Sequence, residues 1–572
     1  MVIRVPSNRT VGFLLGEHTM NCPKTSTALV FFAALISTSW PAQASDPLIY
    51  LDQGWTEQTR QAFYSQPQGS RLVPESWFRA LERADGKGMF ADDANLTRYG
   101  FLADEAGSPG HLPIGFAIDP LETPKVGRFV GLTCAACHTA NVSFEGKVVR
   151  IDGAPAQLDF DTFFADFVTA VNRTLLDEAT FKRFASRVLK APDPSSIGQL
   201  HDQLVAYQTA LAGEATIRTP AVASGFGRAD ALGQIINQLS VAFQSEPRNL
   251  RPLNAPTRYP QLWLTPELEF VQWNPIAASP LGRNSGEVLG VFGSANLTGD
   301  GGEAYESTLL IDEVSQMESW VQQLKPPRWD PALFGEIDLN LAKEGQVLYK
   351  RACQSCHNLP PYDRTDPGEN LFGKTFIKIG RVDFREVGTD PSYVTALVTR
   401  SVFTNKMTAG DFGGRSLVSA PEFFSGTVGK IVTHALNKLN LSETEKAAIN
   451  GFRLRPPSSP GGSPQPYVPP SLADLKASPL SGIWASGPYL HNGSVPTIYE
   501  LLSPVAERRA VFWTGGPELD VKRLGYVSDD APGRFRFDTN LPGNHNIGHV
   551  YPPEGLAPDE RSAIIEFLKT LS

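Results

Sequence analysis

The 572-residue chain is poor in cysteine and methionine, with five of each. Cys22 falls in an N-terminal leader, and the other four cysteines fall in two pentads. No thiol is left for a structural disulfide. Beyond position 44 only Met89, Met317 and Met407 remain, so thioether ligands for a metal are scarce. Charged residues make up 19%, the formal charge is −9, and no cluster of lysine and arginine stands out. That excludes nucleic acid as the expected partner. No apolar run of membrane length follows residue 44, so no membrane span is expected in the mature chain. No internal repeat is visible beyond the pentads, and strand signals such as Lys147 to Ile151 are short.

The leader itself reads as an export signal. Thr25 to Trp40 is an apolar run, and Ala42 and Ala44 fit an A-x-A cleavage site before Ser45. The stretch ahead of it is long for such a signal, and a start at Met20 rather than Met1, with Lys24 as the charge, is the more usual form. Residues 1–44 are therefore expected to be a signal peptide, and the mature chain periplasmic or secreted. Cleavage removes Arg4, Arg9, Lys24 and Glu17, taking the charge from −9 to about −11.

The pentads are Cys134-Ala135-Ala136-Cys137-His138 and Cys353-Gln354-Ser355-Cys356-His357. Two thiols at this spacing meet the two vinyl groups of a haem, and the adjoining histidine turns its imidazole toward the iron. A four-cysteine zinc site or a redox dithiol needs no histidine after each pair, and neither explains export. The expected cofactors are two covalently bound haem c groups. Cys134, Cys137, Cys353 and Cys356 attach them, and His138 and His357 ligate the irons.

The segment 139–352 between the pentads is far longer than a minimal cytochrome c domain. The expected fold is mainly α, with two cytochrome c-type haem domains, long loops and a large insertion after the first haem motif. The expected division is 1–44 signal peptide, 45–326 N-terminal haem domain with the insertion, and 327–572 C-terminal cytochrome c domain. Apolar residues recur with helical spacing at Phe160, Phe163, Phe164, Phe167, Val168 and Val171, and again from Leu310 to Leu324, stopped by Pro326-Pro327. Leu341 to Ala352 predicts a helix leading into the second pentad. Ser442 and Glu445 predict a capping box for a helix through about Leu454. Ile564, Phe567, Leu568 and Leu571 predict a last helix with Pro558 near its start. Pro456 to Pro470, rich in proline, predicts an extended loop.

A haem iron with two strong protein ligands passes electrons, whereas one with an open sixth position binds oxygen or peroxide. Met317 sits on an apolar helical stripe and is expected in the core. His201 lies in a polar helix and His111 in a loop, so the first haem is expected to rest on His138 with an available distal site. The second haem has Met407, His434, His491, His545 and His549 as candidates. The loop histidines His491 and His549 are the better ones.

The stretch Ser481 to Leu502, SGIWASGPYLHNGSVPTIYELL, resembles the Pro-Tyr-x-His-Asp/Asn-Gly segment of the bacterial di-haem cytochrome c peroxidase superfamily. Gly131 to Phe160, Gly282 to Gly293 (GRNSGEVLGVFG) and Pro542 to Leu571 look closer to the branch of di-haem rubber oxygenases and fatty-acid dioxygenases. The resemblance implies an oxygen-binding N-terminal haem with an aromatic distal pocket, for which Trp263, Phe270 and Trp273 are candidates. It implies a C-terminal haem held by two histidines, the second being His549 with His491 as runner-up. The chain is shorter than that branch implies.

The expected activity is that of a haem-dependent oxidoreductase taking oxygen or hydrogen peroxide at the N-terminal haem. It would act as a dioxygenase of an apolar lipid or isoprenoid or as a peroxidase, with a small redox protein as a further partner. The alternative is a periplasmic electron-transfer cytochrome without its own substrate.

Overall fold

The strongest apolar stripes become helices. Helix Phe160–Leu176 buries Phe163, Phe164, Phe167 and Val171, and Asp159 caps it by accepting from the Thr162 amide at 3.0 Å. Helix Ile311–Val321 carries Met317 into the core. The computed structural model describes residues 48–104, 112–124, 126–278, 280–449 and 471–572. The expected signal peptide, residues 1–44, with His111 and the proline-rich loop, lies outside the described residues. The capping box is present, Ser442 N donating to Glu445 at 2.8 Å, and its helix spans Glu443–Ile449.

The expectation of a mainly helical fold is corrected: the structure is 41% helical and 14% strand, a mixed fold. Its strands are mostly two to four residues long, too short for an alternating pattern to register in the sequence. The longest pair, Thr139–Phe144 with Lys147–Asp152, is an antiparallel hairpin directly after the first pentad, extended by Ile49–Tyr50 in parallel. A second three-stranded sheet has Phe129–Leu132 between Val73–Pro74 and Phe116–Ile118. It delivers the chain to Cys134.

Buried side chains hold that hairpin in place. Asp152 accepts from Arg60 Nε at 2.7 Å and from the Tyr64 hydroxyl at 2.6 Å. Just beyond it, Gly153 N donates to the His138 carbonyl at 3.0 Å, and Ala156 N donates to that of Cys137. One apolar cluster joins Trp55 and Ile151 to Trp329, Trp484 and Phe567, so it crosses residue 326. A second is dominated by phenylalanines, among them Phe78, Phe90 and Phe163. A third packs Ile235, Val288 and Leu289 against Phe423 and Ile431 of the helix Ala420–Asn437.

The second pentad follows the lead-in helix Leu339–Ala352, which crosses the closing helix Pro558–Lys569. The crossing is tight: a Cβ added to Gly345 would stand 1.9 Å from the Ala563 carbonyl oxygen. Tyr349 and Phe567 pack beside it, ring centroids 5.1 Å apart and planes inclined by 60°.

Candidate haem-binding centres

The first pentad forms a single helical turn, Cys134–Cys137. Thr133 caps it by accepting from Ala135 N, and His138 N closes it on the Cys134 carbonyl at 3.0 Å. The loop at Gly115 lies so close that a Cβ there would be 2.3 Å from the Ala136 backbone. His138 Nδ1 is 2.8 Å from the Pro260 carbonyl, which can only accept, so Nδ1 carries the proton and the Nε2 lone pair is free. Burial pushes this imidazole down to about 4, so it is neutral at ordinary pH. Burial pushes both thiols up to about 12, with Glu287 adding to the rise at each. The Cys134 thiol donates to Gln68 Oε1 at 3.2 Å.

The second pentad repeats the arrangement. His357 N reaches the Cys353 carbonyl at 2.8 Å, and the Tyr349 hydroxyl donates to the His357 carbonyl at 3.0 Å. His357 Nδ1 donates to the Ser478 carbonyl at 2.7 Å, and burial lowers the pKa of this imidazole too. Across a cavity from it stands His549, ring centroids 6.2 Å apart and planes inclined by 56°. Two metal–nitrogen bonds of about 2 Å, with about 1.1 Å from each nitrogen to its ring centre, put the centroids roughly 6 Å apart. The pair therefore fits the two axial positions of one iron, and the flanking thiols and apolar walls of Leu268, Val382, Ile483 and Leu568 fit a porphyrin.

His549 is set rigidly. Its φ is +52°, and the preceding Gly548 leaves no room for a side chain, since a Cβ would be 2.3 Å from the Gly388 backbone. His549 N donates to the Val387 carbonyl at 2.8 Å, and Arg508 Nη1 donates to the carbonyls of Asn546 and Gly548 at 2.5 and 2.9 Å. Burial, then the neighbouring His357 and Arg508, push the His549 imidazole down to about 4.

The remaining candidates are dispersed. His491 is buried and lines the same cavity, its ring 6.2 Å from that of Tyr393. Trp263 and Trp273 also line the cavity of the second pentad, Trp263 held by its indole donating to the Ser481 carbonyl at 2.8 Å. Phe270 lies in a small apolar cluster with Leu268, Val271, Ile377 and Ile379. Met407 packs against the third cluster. His201 is half-exposed beside Asp202 and Phe181, His434 faces Glu303 and Glu306, and His545 donates from Nδ1 to the Thr539 carbonyl.

Helix Pro280–Gly290 brings in residues not singled out from the sequence. Arg283 pairs with Glu318 at 2.8 Å. Glu287 accepts from Gln272 Nε2 at 3.0 Å and lines a second cavity with Ile276, Phe424 and Val428. Burial raises its pKa above the usual carboxylate range. These residues lie within the quoted GRNSGEVLGVFG segment, but charged residues on an amphipathic helix ordinarily read as a solvated face.

Residues 475–514, which supply Ser478, His491 and much of the second cavity, match a family described as RoxA-like, cytochrome c-like. Cytochrome c-like domains bind haem c covalently, in agreement with the donor sets above. The chain is 33% identical over 581 residues to an uncharacterized protein, y4iJ, of Sinorhizobium fredii, covering 92% of this chain and 94% of that one. A second uncharacterized protein of the same organism, y4iM, is 25% identical over 363 residues, covering 57% of this chain and 70% of its own length.

Proposed function

The chain belongs to the family of the Sinorhizobium fredii protein y4iJ, and from that membership and the geometry of the two pentads we propose that it is an exported haem-dependent oxidoreductase carrying two haem c groups. The observation that carries the proposal is the asymmetry between the pentads. His357 has a histidine opposite it at axial spacing, whereas the charged and polar side chains recorded around the first pentad among the described residues, Gln68, Tyr259, Arg283, Glu287 and Glu318, include no second histidine. When bound, the haem of the first pentad supplies a centre for oxygen or peroxide chemistry, and that of the second an electron-transfer centre.

The protein's own residues define the rest. The Pro260 carbonyl fixes the His138 tautomer, so Nε2 points its lone pair at the metal position. Glu287, held by Gln272 in a cavity with apolar walls, binds a proton more tightly than a free carboxyl because it is buried, which suits it to pass a proton near the first centre. Ile276, Phe424 and Val428 exclude water and suit an apolar substrate such as an unsaturated lipid or isoprenoid.

The test is oxygen and peroxide consumption with oleate, polyisoprene and reduced cytochrome. Glu287→Gln should lower turnover about tenfold, below the full effect of losing a general acid because the amide still hydrogen-bonds Gln272. Carbon monoxide binding should be unchanged. No consumption with any of these substrates would leave only an electron-carrier role.

A further inference from the structure

Two cations line the cavity at Cys353–His357, and no acidic side chain lines it among the described residues. Lys476 lines that cavity, and the charged groups that act on it are Arg283 and Arg258, both positive. Arg283 is neutralised by Glu318, but Lys476 makes no ion pair among the described residues. Arg258 lines the same cavity and is buried. It spends Nε on the Leu490 carbonyl and Nη1 on those of Tyr259 and Ser486, with its guanidinium 4.8 Å above the Trp273 ring. Its Nη2 has no acceptor among the described residues. Burial lowers the pKa of both, Lys476 to about 7 and Arg258 to about 10. A buried cation without a counter-charge is costly, so the occupant of this cavity must bring negative charge to this wall.

The occupant assigned to the cavity has that character. A haem attached through Cys353 and Cys356 is apolar over its faces and carries two carboxylates on the edge opposite its thioether bonds. We propose that Lys476 and Arg258 are the carboxylate-binding wall of this cavity and hold the propionates of the haem bonded to Cys353 and Cys356, a reading that rests on the haem assignment above. His491 belongs to the same wall, since its carbonyl accepts from Arg258 N at 2.9 Å and its ring lines the cavity. The two cations then hold the cofactor's free edge while His357 and His549 hold its iron, which fixes the ring in its plane. They also place positive charge at the edge of the cofactor, which favours the reduced state.

The experiment is a redox titration of the holoprotein, followed optically and by EPR so that the low-spin centre is read separately from the other. Lys476→Met should lower the ferrous-to-ferric ratio of the low-spin centre about tenfold at fixed ambient potential, about 59 mV for a one-electron couple. Lys476→Arg should stay within about twofold. Arg258→Gln should shift the same centre in the same direction and serves if Lys476→Met does not fold. An unchanged low-spin ratio in both Lys476→Met and Arg258→Gln, or a shift confined to the other centre, would overturn the proposal. So would a variant that loses an oleate-induced spectral change while its midpoint is unmoved, because the wall would then serve a substrate carboxylate. A wild-type protein without any low-spin wave would sink the haem assignment, and this wall with it.

Discussion

Replacing His549 by alanine should convert the centre at Cys353–His357 from low-spin to high-spin and open it to carbon monoxide, raising the stoichiometry from one to two per chain. The expectation follows from the local geometry. His549 is the side chain that stands at axial spacing from His357, with ring centroids 6.2 Å apart. The backbone around it is held independently of the imidazole, by Arg508 on the Asn546 and Gly548 carbonyls and by His549 N on Val387. Alanine should therefore remove the ligand without moving the loop. His491 lines the same cavity but packs on Tyr393, so it is not expected to replace the lost ligand. His491→Ala should leave the low-spin signal in place. A low-spin spectrum surviving in His549→Ala and lost in His491→Ala would reverse the two assignments.

Gly345→Val should destabilise the protein by about 3 kcal/mol, near the upper end of what inserting a side chain into a close-packed interior costs. At Gly345 the lead-in helix touches the closing helix with no space for a side chain, a Cβ standing 1.9 Å from the Ala563 carbonyl oxygen and 2.4 Å from its carbon. The obstacle is backbone, which cannot rotate out of the way, so the helices must separate. One leads to Cys353 and the other follows His549, so separation should also broaden the low-spin EPR signal. Urea unfolding monitored by circular dichroism, with EPR on the same samples, checks both effects. Gly335→Ala, at a position where a Cβ meets nothing within 4 Å but φ is +90°, should cost about 1 kcal/mol and leave the EPR signal sharp.

Chemistry encoded in adjacent residues was legible in the sequence. Each pentad carries its two thiols and its histidine within five positions, and the structure adds the carbonyls of Pro260 and Ser478 that set the tautomers. Long amphipathic helices such as Phe160–Leu176 were legible for the same reason, since their periodicity is local. What depends on distant contacts was not. Strands of two to four residues carry no measurable alternation, so the sheet content was underestimated. Trp263 and Trp273 lie between the pentads in the chain, and sequence order does not say which centre such a loop faces; both line the second cavity. Nothing local in the sequence marks Glu287 or Lys476, because the side chains that enclose them, Phe424 and Val428 for the first and Arg258 and Trp273 for the second, are remote or come from another loop.

The proposed function requires two covalent haems of unlike accessibility, with His138 serving an open one and His357 with His549 a closed one. Carbon monoxide titration of the fully reduced protein, per chain of known haem content, tests this most directly. The result predicted is two haems and one carbon monoxide bound per chain. Uptake of none, or of two, by the wild-type protein would contradict it.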